Sequence, residues 1–137
     1  MRILSWLLAA ALLAFCPGLG ANEPPRAQKS EYLLSTGAGF MMQVDGDGAA
    51  YGMSFELRKK VRKPLHAVIT FENPADPDLP FVVEETIERG QRELRPSSPR
   101  FTEAHNGRVY QVRVDLYEDA GKARRLGTHT QDVLFSV

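Results

Sequence analysis

Three histidines, His66, His105 and His129, are the first candidates for chemistry in this 137-residue chain. A zinc site needs ligands at short spacings, such as His-Glu-x-x-His or cysteine pairs. None of the three has a second histidine within a turn or on alternate strand positions, so neither a metal nor another cofactor is expected. His66 alternates out of phase with the apolar residues Ala67, Ile69 and Phe71, which places it on a solvated sheet surface. His129 shares its phase with Val133 and Phe135, which places it at the rim of a core.

Asp45-Gly46-Asp47-Gly48 has the look of a calcium loop, with Asp45 first, Asp47 third and Glu56 twelfth. Ala49 and Ala50 then occupy the fifth and sixth positions, where an EF-hand needs an oxygen ligand and a glycine. A glycine-rich β-turn explains the segment, with a weak calcium site at Asp45 and Asp47 as the alternative. No serine sits in a Gly-x-Ser-x-Gly elbow. Gly37-Ala38-Gly39 lacks the lysine and helix start of a phosphate loop. Adjacent strand residues point to opposite faces, so Glu84 and Glu85 cannot converge as an acid/base pair. Catalysis is therefore not expected.

Charge is the remaining signal. The chain carries 17 basic and 17 acidic residues, a neutral balance that argues against a nucleic-acid partner. Within that balance, Arg58, Lys59, Lys60, Arg62 and Lys63 place five cations in six positions. Glu72, Asp76, Asp78, Glu84, Glu85 and Glu88 follow. The run reads either as a solvated connection neutralised by that acidic stretch or as a patch for an anionic partner.

These side chains must be held by a small exported domain. Arg2, the apolar run from Ile3 to Phe15, the break at Pro17-Gly18 and small residues up to Gly20 form the layout of a signal peptide over residues 1–20. The run is too short for a spanning helix, and no transmembrane segment is expected in the mature chain. Cys16, the only cysteine, would anchor a lipoprotein, but Phe15 stands where a small residue is wanted. The folded part then has no disulfide and must rest on its apolar core. Residues 21–30 read as an extended leader, and residues 31–137 as one domain.

Within that domain, period-two alternation recurs between Gly, Pro, Asn and Asp clusters. It predicts strands around Phe40–Val44, Tyr51–Leu57, Leu65–Phe71, Phe81–Ile87, Gln91–Leu94, Tyr110–Tyr117 and Val133–Val137. In the sixth, Tyr110, Val112, Val114 and Leu116 point inward. Residues 73–80 and 96–99 read as proline loops, and residues 102–105 as a single helical turn. The expected fold is an all-β, antiparallel two-sheet sandwich of about seven strands.

The segment Asn106-Gly107-Arg108-Val109-Tyr110-Gln111-Val112-Arg113-Val114 resembles the strand-F region of immunoglobulin-like and fibronectin type III-like domains. The resemblance implies that Tyr110 is a corner residue, its ring buried and its hydroxyl bonded to backbone a few residues upstream. The paired cysteines and core tryptophan of antibody domains are missing. Such sandwiches host many roles. The reading is an exported, periplasmic or secreted, non-catalytic module that binds or assembles with another exported or envelope protein. Anionic envelope lipid, polysaccharide or an enzyme to be inhibited are the alternative targets. No tryptophan survives cleavage, since Trp6 lies in the signal, which disfavours a carbohydrate platform. Intact-mass measurement of the mature protein should give an N-terminus at Ala21 or Asn22, whereas a mass matching diacylated Cys16 would make it membrane-anchored.

Overall fold

The computed structural model describes residues 29–42 and 48–136. The expected signal peptide, Asp45 and Asp47 lie outside the described residues. The described chain is all-β, in seven strands: β1 (Leu33–Met42), β2 (Ala49–Leu57), β3 (Leu65–Phe71), β4 (Phe81–Ile87), β5 (Glu93–Leu94), β6 (Val109–Tyr117) and β7 (Arg125–Leu134). They form two antiparallel sheets, one in the order β1-β2-β5 and the other in the order β4-β3-β6-β7. Inner faces of both sheets meet in one hydrophobic cluster, an arrangement compatible with a β-sandwich.

Alternation builds that cluster. Tyr51, Met53 and Phe55 of β2, Ala67, Ile69 and Phe71 of β3, and Tyr110, Val112, Val114 and Leu116 of β6 are all buried. The intervening Glu56, Gln111 and Arg113 are exposed. Six aromatic rings tie the sheets together. Tyr51 meets Phe71 across the interface at 5.1 Å, and Phe40 lies 5.0 Å from Tyr51 and 4.6 Å from Phe135. Phe101 lies 5.8 Å from Tyr51, and the Tyr110 ring lies 6.0 Å from Phe40.

Several boundaries differ from the expected ones. β1 begins seven residues before Phe40, and a bulge between Ser35 and Gly37 resets its phase. The inward phase thereby moves from Leu33 and Ser35 to Phe40, which packs on the core, while Met42 at the strand's end is exposed. β7 begins at Arg125, so its largely polar first half also pairs with β6, with one register irregularity at Leu116/Tyr117. No helix forms at residues 102–105. Four residues give too few hydrogen bonds to offset helix nucleation, and the His105 N–H is used elsewhere.

β5 is short because Pro96 and Pro99 interrupt it, since proline cannot donate to a ladder. The segment still follows β2. Met53 N–H donates to the Pro96 carbonyl at 3.0 Å, Ser98 N–H to the Tyr51 carbonyl at 2.8 Å, and Phe101 N–H to the Ala49 carbonyl at 2.9 Å. The Ser98 hydroxyl accepts a further bond from Tyr51 N–H at 3.0 Å.

Tyr110 is wholly buried, and its hydroxyl accepts a hydrogen bond from His105 N–H at 3.0 Å. Gly107, at φ +83°, turns the chain between them and donates its N–H to the Phe135 carbonyl at 2.8 Å. The corner thus joins the 102–108 loop to the start of β6 and the end of β7. Tyr110→Phe should destabilise the domain by about 1 kcal/mol and Tyr110→Ala by about 3 kcal/mol or more, read from denaturant unfolding. An alanine variant of unchanged stability would refute the role of the corner.

Candidate binding surface

Strand register sorts the loops to two ends. Leu33 pairs with Leu57, Glu93 with Glu56, Leu65 with Ile87, and His66 with Tyr117. Residues 29–32, 58–64, 88–92 and 118–124 therefore share one end, and residues 72–80 and 102–108 share the other, while residues 95–101 run along β2 between them. The first set carries ten cations against four carboxylates; the second carries one against four. A chain neutral in total thus folds with one strongly positive end.

The expected cluster divides within that end. The Arg58 guanidinium donates to the Ser30 carbonyl, and Lys59 forms an ion pair with Glu31 at 2.5 Å. The Lys59 ammonium also lies 4.6 Å from the centre of the Tyr32 ring. The hydrogen bond to Glu31 holds Lys59 protonated to a higher pH than an ordinary lysine. These two residues clamp the 29–32 segment onto the 58–64 loop. Lys60, Arg62 and Lys63 are exposed, and their side chains engage no other described residue. The acidic stretch at 72–88 does not neutralise the run. Glu72 pairs with Arg108 at 3.4 Å, and Glu84 pairs with His66 at 3.0 Å and with Lys122.

Two further cations, Arg89 and Arg92, join Lys60, Arg62 and Lys63 at this end, and neither has a side-chain partner among the described residues. Sequence reasoning missed them because they arrive on a different loop. Gly90, at φ +80°, makes the tight turn between them, a conformation that suits glycine. Its N–H donates to the Val61 carbonyl at 2.9 Å, and Leu57 N–H donates to the Arg92 carbonyl at 2.8 Å, so the two loops are tied backbone to backbone. Lys29, also without a described partner, completes the set. Every other cation among the described residues is engaged: Arg95, Arg108, Arg113, Lys122, Arg124 and Arg125 in ion pairs, and Arg100 in a contact of its own.

The three histidines do not come together. His66 lies on the outward face of its sheet, where Glu84 accepts bonds from it and from Lys122. Those bonds, that from Lys122 foremost, hold the Glu84 carboxyl below the usual carboxylate range. Asp115 also points outward, yet it is buried beneath Arg113, Arg125 and the Thr128 hydroxyl, the last at 2.7 Å. His105 is exposed and contributes its backbone to the tyrosine corner.

His129 lies deeper than the expected core rim, at 3% exposure, with its ring edge-on to Phe55 at 5.1 Å. Its Nε2 has no partner among the described residues. A cavity of about 120 Å³ opens beside it, walled by Ser30, Tyr32, Leu33, Val114, Leu116 and Thr128. Among the described residues, no group of three or more His, Cys, Asp or Glu side chains could hold a metal ion, and no helix is long and apolar enough to cross a membrane. Comparison of the chain with family models, curated proteins and solved structures finds no match.

Burial pushes the His129 imidazole below the ordinary histidine range, partly opposed by its hydrogen bond with Gln131. Above the ordinary histidine value of about 6.5 neither the folded nor the unfolded chain binds the proton. As pH falls below that value the unfolded chain takes it up first, so stability is lost toward acid. His129→Leu should shrink the fall in denaturation midpoint between ~pH 7.5 and ~pH 5.5 relative to the parent protein. An unchanged pH dependence would show that another group carries the loss.

Proposed function

We propose that this chain is an exported, non-catalytic module of the immunoglobulin-like, fibronectin type III-like kind, which binds or assembles with another exported or envelope protein through its cationic loop end. The observation that carries this reading is the segregation of unpaired cations. All six that lack a described partner lie at one end, on three adjacent segments. Unpaired charges on a stable scaffold contribute little to stability and much to long-range attraction, which suits a contact surface.

Support for the immunoglobulin-like type comes from topology. A three-stranded β1-β2-β5 sheet faces a four-stranded β4-β3-β6-β7 sheet, and the chain crosses between them after β2, β4 and β5. The tyrosine corner at the start of β6 adds to it. Support for a non-catalytic role comes from the side chains that could otherwise react. His129 is enclosed by the core, His66 is committed to Glu84, and the buried Ser98 hydroxyl is bonded to backbone on both sides. Export rests on the layout of residues 1–20.

A photo-crosslinking residue placed at Arg62, with a second set at Glu103 on the opposite end, tests the reading in intact cells. Mass spectrometry should identify one exported or envelope protein joined through position 62 and none through position 103. Adducts in equal yield from both positions, or none from either, would overturn it.

A further inference from the structure

The cationic end is concave. A groove of about 560 Å³ runs between the 56–61 and 90–92 segments, lined by Arg58, Lys59, Lys60 and Arg92 together with Val61 and Gly90. Glu56 is the only carboxylate in its wall. The two backbone hydrogen bonds that link these loops hold the groove open before anything binds, which lowers the ordering cost of association.

Its chemistry separates the anionic partners. No aromatic residue lines the groove, so a sugar ring finds no stacking platform. The exposed large hydrophobics, Met41, Met42, Leu79, Val82 and Val109, all lie away from this end, which leaves no apolar wedge to enter a bilayer. Lys60 and Arg92 rise from separate loops, so a narrow chain with carboxylates along it can meet both, whereas a flat lipid surface would leave the hollow unfilled. We infer that the groove between residues 56–61 and 90–92 takes an acidic peptide segment of the partner protein, its carboxylates paired with Lys60 and Arg92. This rests on the reading of the chain as a protein-binding module and names the chemistry of what it holds.

Fluorescence anisotropy of a labelled peptide of alternating Asp and Glu, titrated with the full mature chain, tests the inference. Lys60→Glu with Arg92→Glu, both changes on the groove, should weaken binding by about tenfold or more. Arg62→Glu with Lys63→Glu, the same charge change on side chains outside the groove, should weaken it by about threefold or less. Both variants should melt with the parent protein, since surface charges add little to stability. Parental affinity should fall as salt rises from ~0.05 to ~0.3 M. Equal losses in the two variants would place the contact on the whole end and overturn the groove. Sedimentation with phosphatidylglycerol vesicles in the absence of peptide binding would assign the surface to lipid and overturn the acidic-peptide partner. Failure to bind the peptide while position 62 still crosslinks to a protein would sink this inference alone; absence of a crosslinked protein would sink the module reading beneath it.

Discussion

The packing of aromatic rings between the two sheets is the constraint on which the rest of the domain depends. The described chain has no disulfide, so burial must supply what a crosslink would otherwise add. Tyr51 sits at the centre of the cluster, against Phe40, Phe71, Phe101 and Tyr110. Each of these two tyrosines keeps its ring in the apolar layer and passes its hydroxyl to backbone: Tyr51 donates to the Glu72 carbonyl, and Tyr110 accepts from His105. Burial, with the nearby Glu72 and Tyr110 adding to it, pushes the Tyr51 hydroxyl well above the ordinary tyrosine range and keeps it a neutral donor. One set of rings thereby joins the sheets and fastens the 72–80 and 102–108 loops.

That concentration of packing at one end lets the other end tolerate its charge. Mutual repulsion among Lys60, Arg62, Lys63, Arg89 and Arg92 is screened over ~8–10 Å in salt and acts on loops whose backbone is already tied. The bonds from Gly90 to Val61 and from Leu57 to Arg92 are main-chain interactions and are indifferent to side-chain charge. Arg58 and Lys59 contact Ser30, Glu31 and Tyr32 at the surface, and use their charge to hold the start of β1. The same short run of sequence therefore holds two populations, a structural pair and an unengaged trio. Only the path of residues 29–32 separates them.

What could be read from sequence follows from which forces act locally. β2, β3 and β6 each bury one face, and their apolar alternation gave strands and phase together. The first part of β1 escaped because Ser35 to Gly39 holds no large apolar residue and its bulge breaks the period. The first half of β7 escaped because Thr128 and Thr130 alternate with His129 and Gln131, both polar yet buried. The five-cation run was visible as composition. Arg89 and Arg92 were not, because their place beside Lys60 depends on two crossings between sheets, a long-range property that no local pattern encodes. The same is true of Glu31, whose pairing with Lys59 removes one cation from the unpaired set.

The interrupted path of residues 95–101 along β2 bears on how copies of this chain meet one another. An unprotected sheet edge is a template on which a second molecule can add a strand. Here Pro96, Ser98 and Phe101 direct their backbone bonds to β2, and Pro99 interrupts the outermost segment of the smaller sheet. An incoming strand would find an edge broken by proline. The feature that shortens β5 thus guards this edge against self-association while the chain folds.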